Sequence, residues 1–578
     1  MKKKMNMFMK KSWSSVAKSW ICLTLGLVLT VTSFAACGKK SFETEAVQET
    51  QISESTTNYP AQISDGNEYE TPYVEDSTLQ KEDVSGSQEL IADTAAIEYD
   101  ESLKLTDAYN VEEYNTEEYN AIIENGFQSV QDYPLSTFSI DVDTASYSNI
   151  RRMIYENSSV VPDAVRIEEM INYFKYDYKK PQGKVPFSVN TELSDCPWNE
   201  NSKLLLVGLQ AEDIDFRERP NSNIVFLLDV SGSMDSEDKL PLMQKAFILL
   251  TENLNRGDRV SIVTYAGDER VVLEGARGDE TIKIVDAIEN LYAGGSTAGA
   301  AGIERAYDIA EEYFIKGGNN RVILATDGDL NVGLSSEGEL TRLIEEKRKN
   351  GVYLSVLGFG TENIKDNKME ALADNGNGNY SYIDSMMEAK KVLVEEMGGT
   401  LFTVAKDVKL QLEFNPSQIK GYRLIGYENR MLDAQDFNDD TKDAGEIGAG
   451  HRVTALYELL EVDSKQELPN SNLKYQKNDK GSNSKEWLTI NIRYKEPEHD
   501  KSKLISETVD KRDYSSKMPE NLAFASSVAA FGMILRDSEY KGTANYDMIL
   551  DTLEQLDVSS DEYKDEFVSL VKKMKRVD

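Results

Sequence analysis

Asp229, Ser231 and Ser233 alternate with Val230 and Gly232. One carboxylate and two hydroxyls at that spacing make a small set of hard oxygen donors. Such a set suits Mg²⁺, which keeps waters or ligand oxygens in its remaining positions. Two later loops carry the same chemistry: 291–297 ends on Gly-Gly-Ser-Thr, closing with Thr297, and 321–328 ends on Thr-Asp-Gly, containing Asp327. The D-x-S-x-S spacing alone recurs by chance, and Asp, Ser and Gly after a strand also make ordinary turns. The residues become a site only if one scaffold brings the three loops to a common edge.

The pattern from 223 to about 400 predicts that scaffold. Residues 224–228 are an apolar run too short for a helix and followed at once by turn residues, so they read as a buried strand. Strand patterns recur at 259–265, 270–273, 321–325, 353–359 and 379–383. Helical spacing fills the intervals at 239–254, 280–291, 299–314 and 337–349, and again at 386–396. Alternating units of this kind imply an α/β fold with a doubly wound, largely parallel sheet and helices on both faces. Open α/β sheets place their sites at the carboxyl ends of the strands. Thr297 and Asp327 then join Asp229, Ser231 and Ser233 as one set of metal-ligand candidates.

These residues resemble a von Willebrand factor type A domain, over residues 217–400, in Asp229-x-Ser231-x-Ser233, Gly-Gly-Ser-Thr with Thr297, and Thr-Asp-Gly with Asp327. The resemblance implies a Rossmann-like fold and a metal-ion-dependent adhesion site. Ser231, Ser233 and Thr297 would bind Mg²⁺ directly, with Mn²⁺ or Ca²⁺ as alternatives, and Asp229 and Asp327 would bind mainly through waters. An open metal position would take a carboxylate from a protein partner. The flanks at 134–143 and 444–451 are similar to a subgroup of bacterial exported proteins, some labelled calcium-activated chloride channel homologues. That subgroup places an associated N-terminal region, here 126–216, before the type A domain and a characteristic C-terminal region after it. A channel is not expected, because no apolar run after the leader approaches the length that spans a bilayer.

The address comes from the first 36 residues. Lys2, Lys3, Lys4, Lys10, Lys11 and Lys18 precede an apolar stretch at 21–36 that ends in small residues, which reads as a secretory signal. Phe34-Ala35-Ala36-Cys37 resembles a bacterial lipoprotein cleavage box, which implies lipidation at Cys37 and a membrane-anchored, extracytoplasmic protein. Residues 37–125 are rich in Glu, Ser, Thr, Asn and Tyr and read as an acidic disordered spacer. Besides Cys37, the cysteines are Cys22, in the leader, and Cys196, so no disulfide framework is expected and Cys196 reads as a buried small residue.

Beyond the sheet, strand patterns dominate 401–500 and helical patterns 501–578. Strands at 185–212 and 404–496 on either side of the sheet predict one β-sandwich into which the α/β unit is inserted. Asp141 with Asp143, and the acidic loop Asp433, Asp436, Asp439 and Asp440, are weaker metal candidates: a strand-end turn with a helix cap explains the first pair just as well, and a solvated surface loop is the favoured reading of the second group.

A net charge of −37 argues against nucleic-acid binding. With His451 and His499 the only histidines, a His-based zinc centre or a Ser-His-Asp triad lacks material. The expected function is non-enzymatic: a cell-surface lipoprotein that binds a protein partner presenting Asp or Glu to the metal. An envelope-assembly subunit and a metal-dependent hydrolase are the alternatives.

Overall fold

The structure is a computed structural model that describes residues 117–577, apart from 184, 214–218, 267, 296–299, 329–336, 362, 397–401, 443, 469–483 and 498. Cys37, the leader and Thr297 therefore lie outside the described residues.

The α/β unit is a six-stranded sheet. Its strands are β5 (Ser222–Asp229), β6 (Arg259–Ala266), β7 (Asp268–Arg277), β8 (Asn319–Thr326), β9 (Tyr353–Phe359) and β10 (Tyr380–Ile383), in the spatial order β10-β9-β8-β5-β6-β7. All neighbours are parallel except the β6–β7 edge pair. Every residue of β5 is buried, as its unbroken apolar run requires. Ile224, Phe226 and Leu228 face one apolar cluster with the helices Leu240–Thr251 and Thr281–Glu289. Val225 and Leu227, on the opposite face, join a second cluster with Ile303, Tyr307, Ile344 and Met369. The chain winds from β5 to β6 on one side and returns to β8 on the other. This puts the topological switch point at the carboxyl end of β5.

Two further sheets form the sandwich. The first orders β1 (Gln128–Ser129), β12 (Ile419–Ile425), β14 (Arg452–Glu461), β4 (Lys203–Ala211) and β3 (Phe187–Asp195). The second is built on β11 (Thr403–Phe414), which pairs with β15 (Glu486–Lys495) on one side and with both β2 (Leu135–Ser139) and β13 (Gly445–Gly448) on the other; β16 (Lys503–Asp510) closes the edge. Strands from before and after the α/β unit thus share both sheets, and the unit is an insertion, as the strand patterns predict. In β4, Leu205, Val207 and Leu209 face the sandwich interior, whereas Leu204 and Leu206 face an outer helical layer. That double burial explains the continuous Leu-Leu-Leu-Val run.

The outer layer consists of helices Ala145–Glu156 and Ile167–Asn172 with three from the C-terminus, Glu520–Leu535, Tyr546–Leu553 and Glu562–Val577. The first C-terminal helix is buried without interruption from Leu522 to Met533. None of the described helices is long and apolar enough to cross a membrane.

Two boundaries differ from the sequence reading. The region 501–578 is not wholly helical, since Lys503–Asp510 is a strand. Most of its residues are exposed, so it lacks the apolar alternation that marks a strand with one buried face. The segment 117–125, expected in the spacer, is bonded to the folded body: Glu118 N–H donates to Ile364 O at 3.0 Å, and Asn125 Nδ2 donates to Gly426 O at 2.7 Å.

Buried arginines tie the insertion to its surroundings. Arg151 binds Asp384, Glu388 (2.7 Å) and Glu566 (3.0 Å). Arg166 binds Glu169 and Asp366 (2.5 Å). Arg430 reaches Asp374 (2.6 Å), Glu370 (2.9 Å) and Asp143 (3.4 Å). Removing one partner of such a cluster leaves buried charge uncompensated. Arg151→Met is expected to lower unfolding stability by about 3–5 kcal/mol, measured by urea denaturation.

Glu168 gives a pH test. Burial, with Glu428 and Glu169 adding, pushes its carboxyl up to about 7. A carboxyl held above its ordinary range binds its proton more tightly when folded, so it lowers stability as pH rises through that interval. Glu168→Gln is expected to gain on the wild type as pH rises from 4.5 to about 7, read as the difference in urea midpoints.

Candidate functional site

Asp229 is the last residue of β5 and is 0% exposed. Its Oδ1 accepts the Ser231 N–H at 2.9 Å, which folds the chain back over the strand end. Its Oδ2 accepts the Thr326 hydroxyl at 3.2 Å. Burial pushes its carboxyl up to about 6 against these hydrogen bonds, and the charge of Asp327 adds to the rise.

Ser231 is buried, Ser233 is exposed, and their hydroxyl oxygens lie 3.0 Å apart. The short 3₁₀ turn Gly232–Asp235 carries Ser233 and is pinned from below by the fully buried Met234. The donors therefore run from a buried carboxylate to a solvent-facing hydroxyl.

The second loop docks on the first through the backbone. Gly294 N–H donates to Val230 O at 2.8 Å, and Gly232 N–H donates to Gly295 O at 3.2 Å. Gly295 has φ +89°, and a Cβ there would come within 2.8 Å of Ala266 O, so glycine is required. Thr297, two residues on, is outside the described residues.

The third loop continues β8. Thr326 bonds Asp229, and its oxygen accepts the Gly328 N–H at 3.2 Å. Asp327 is 0% exposed, and Lys239 Nζ donates to its Oδ2 at 3.0 Å. The structure thus brings Asp229, Ser231, Ser233 and Asp327 to one sheet edge. Sequence reasoning missed Thr326 and Lys239. The signal for Thr326 was its place beside Asp327 at a strand end; Lys239, at the start of the helical pattern 239–254, carried no local signal.

The weaker candidates have other partners. Asp143 accepts the Tyr380 N–H at 2.8 Å and pairs with Arg430, so it joins the N-terminal region to the α/β sheet. In the acidic loop, Asp436 lies 3.7 Å from Lys442 and Asp440 lies 3.9 Å from Arg493. Cys196 is buried, and burial raises its thiol to about 12.

Comparison with known proteins agrees with this architecture. The von Willebrand factor type A domain model matches residues 223–395, a model described as von Willebrand factor matches 113–206, and the C-terminal model of an uncharacterized protein, YfbK, matches 399–577. Uncharacterized protein YfbK of Escherichia coli K12 is 42% identical over 462 residues, covering 78% of this chain and 79% of that protein. The chain belongs to the YfbK family of von Willebrand factor type A domain proteins.

An uncharacterized Synechocystis protein, sll0103, is 29% identical over 34% of this chain and 44% of its own length. A solved von Willebrand factor type A protein from Catenulispora acidiphila is 16% identical, covers 69% of this chain and 91% of its own, and has a TM-score of 0.37.

Within the type A domain, Asp327 is set by Gly328, whose φ is +101° and whose Cβ would meet Asn363 O at 2.5 Å. Gly328→Ala is expected to cost at least about 1 kcal/mol in a denaturation experiment, because alanine is strained at positive φ.

Proposed function

We propose that this protein is a cell-surface lipoprotein, anchored at Cys37, whose type A domain binds a protein partner through a divalent metal. Type A domains commonly mediate protein interactions, and the chain carries one complete with its flanking regions. The observation behind the reading is the convergence of Asp229, Ser231, Ser233 and Asp327 at the carboxyl edge of the sheet, from loops far apart in sequence. All the donors are hard oxygens, which suit Mg²⁺, with Mn²⁺ or Ca²⁺ as substitutes. The buried carboxylates would supply charge, and the exposed hydroxyl of Ser233 leaves the cluster open to solvent. Thr297 completes the donor set in this reading.

The metal would take a partner's Asp or Glu carboxylate in an open position, with the surrounding loops supplying specificity. The protein acts by binding and not by turnover. Neither histidine hydrogen-bonds the cluster among the described residues, so no imidazole base is in place beside it.

Calorimetric titration of MgCl₂ into the protein is expected to give binding heat that Asp229→Ala abolishes. Equal heats from both proteins would put the metal elsewhere. Cross-linking on intact cells is expected to capture a partner that EDTA releases. Metal-dependent cleavage of ester or phosphate substrates, lost in Asp229→Ala, would replace the binding reading with an enzymatic one.

A further inference from the structure

Lys239 is ion-paired to Asp327 in the Asp229–Asp327 cluster. Its side chain is 8% exposed, that of Asp327 is 0%, and Nζ lies 3.0 Å from Oδ2. Lysine is rarely buried without a partner. This one is held in a slot. Lys239 immediately precedes the helix Leu240–Thr251, and its carbonyl accepts the Met243 N–H at 2.8 Å. Its stem lies across Gly360, where a Cβ would approach Lys239 Cε and Cγ to 2.3 Å. Gly360 has φ +74°, so the close approach and the backbone both require glycine there. The ammonium is therefore placed by the fold and does not reach in from solvent.

Charge counting gives this placement a consequence. Asp229 and Asp327 are both 0% exposed, and the charge of Asp327 disfavours that of Asp229. An ammonium beside Asp327 offsets one of the two charges. Adding a divalent ion to two carboxylates and an ammonium leaves one unit of positive charge at a largely buried site. Without the ammonium the loaded site would be neutral.

We propose that Lys239 is a resident counter-cation of the metal site: it neutralises Asp327 when metal is absent, weakens metal binding, and leaves the loaded site with the surplus positive charge that a partner's carboxylate neutralises. The inference rests on the metal reading above and assigns Lys239 a part in ligand choice. Its signature is a pair of opposite effects. Removing the ammonium strengthens the metal and weakens the carboxylate, whereas a lysine with only a structural role, once lost, would weaken both.

The experiment uses the full chain at pH 8, with Lys239→Met and Lys239→Gln as two neutral replacements and circular dichroism to confirm folding. Titrated with MgCl₂, at least one folded variant is expected to bind at least about tenfold more tightly than the wild type, since a unit charge within several ångströms of a divalent ion is removed. Sodium acetate, against sodium chloride at equal ionic strength, is then added to the Mg²⁺-saturated proteins. Acetate is expected to raise the melting temperature of the wild type more than that of the variant. Unchanged or weaker Mg²⁺ binding in the folded variants overturns the proposal while leaving the metal site standing. An equal acetate response in wild type and variant overturns it as well. Absence of Mg²⁺ binding in the folded wild type removes the metal site and this inference with it.

Discussion

Burying the carboxylate of Asp229 at the end of an apolar strand is the constraint from which the site is built. A buried charge is costly unless hydrogen bonds or opposite charge offset it. Ser231 contributes a backbone N–H from the following loop, and Thr326 contributes a hydroxyl from the neighbouring strand. The first bond folds the loop back over the strand end, and the second requires β5 to stand next to β8. The hydrogen bonds that make Asp229 tolerable are thus the same ones that assemble the cluster.

The flanking regions impose a second constraint. The chain enters the α/β unit from β4 and returns through β11, and these strands lie in different sheets of one sandwich. The insertion is consequently fixed at both ends. Arg151, Arg166 and Arg430 add ion pairs that cross from the flanks to the inserted unit. Buried ion pairs are a weak source of net stability, because desolvation offsets most of their attraction. Their geometry, however, tolerates few alternative packings, so they act here to orient the insertion.

Legibility followed burial. The strands 224–228 and 321–325 were readable because a central parallel strand is buried on both faces and its composition has little freedom. The Lys503–Asp510 strand was not, because an exposed edge strand accepts polar residues at nearly every position. Asp143 showed the opposite difficulty. Its pairing with Asp141 suggested metal, yet its partners, Arg430 and the Tyr380 amide, come from more than 200 positions away, and no local pattern names them. Lys239 was hidden for the same reason: a lysine at a helix start is ordinarily solvated, and only the returning Asp327 and Gly360 make it a buried ion pair.

The sequence by itself determined the α/β class, the strand that ends in Asp229, the oxygen chemistry of Asp229, Ser231 and Ser233, and the loops that could join them. Those properties follow from local periodicity and side-chain type, which folding does not alter. Tertiary structure decided the strand order within the sandwich, that Asp327 lies close enough to Asp229 to raise its proton affinity, and that an ammonium stands beside Asp327. These are relations between segments distant in sequence. Burial gives them their strength, since charges interact most strongly where water is excluded.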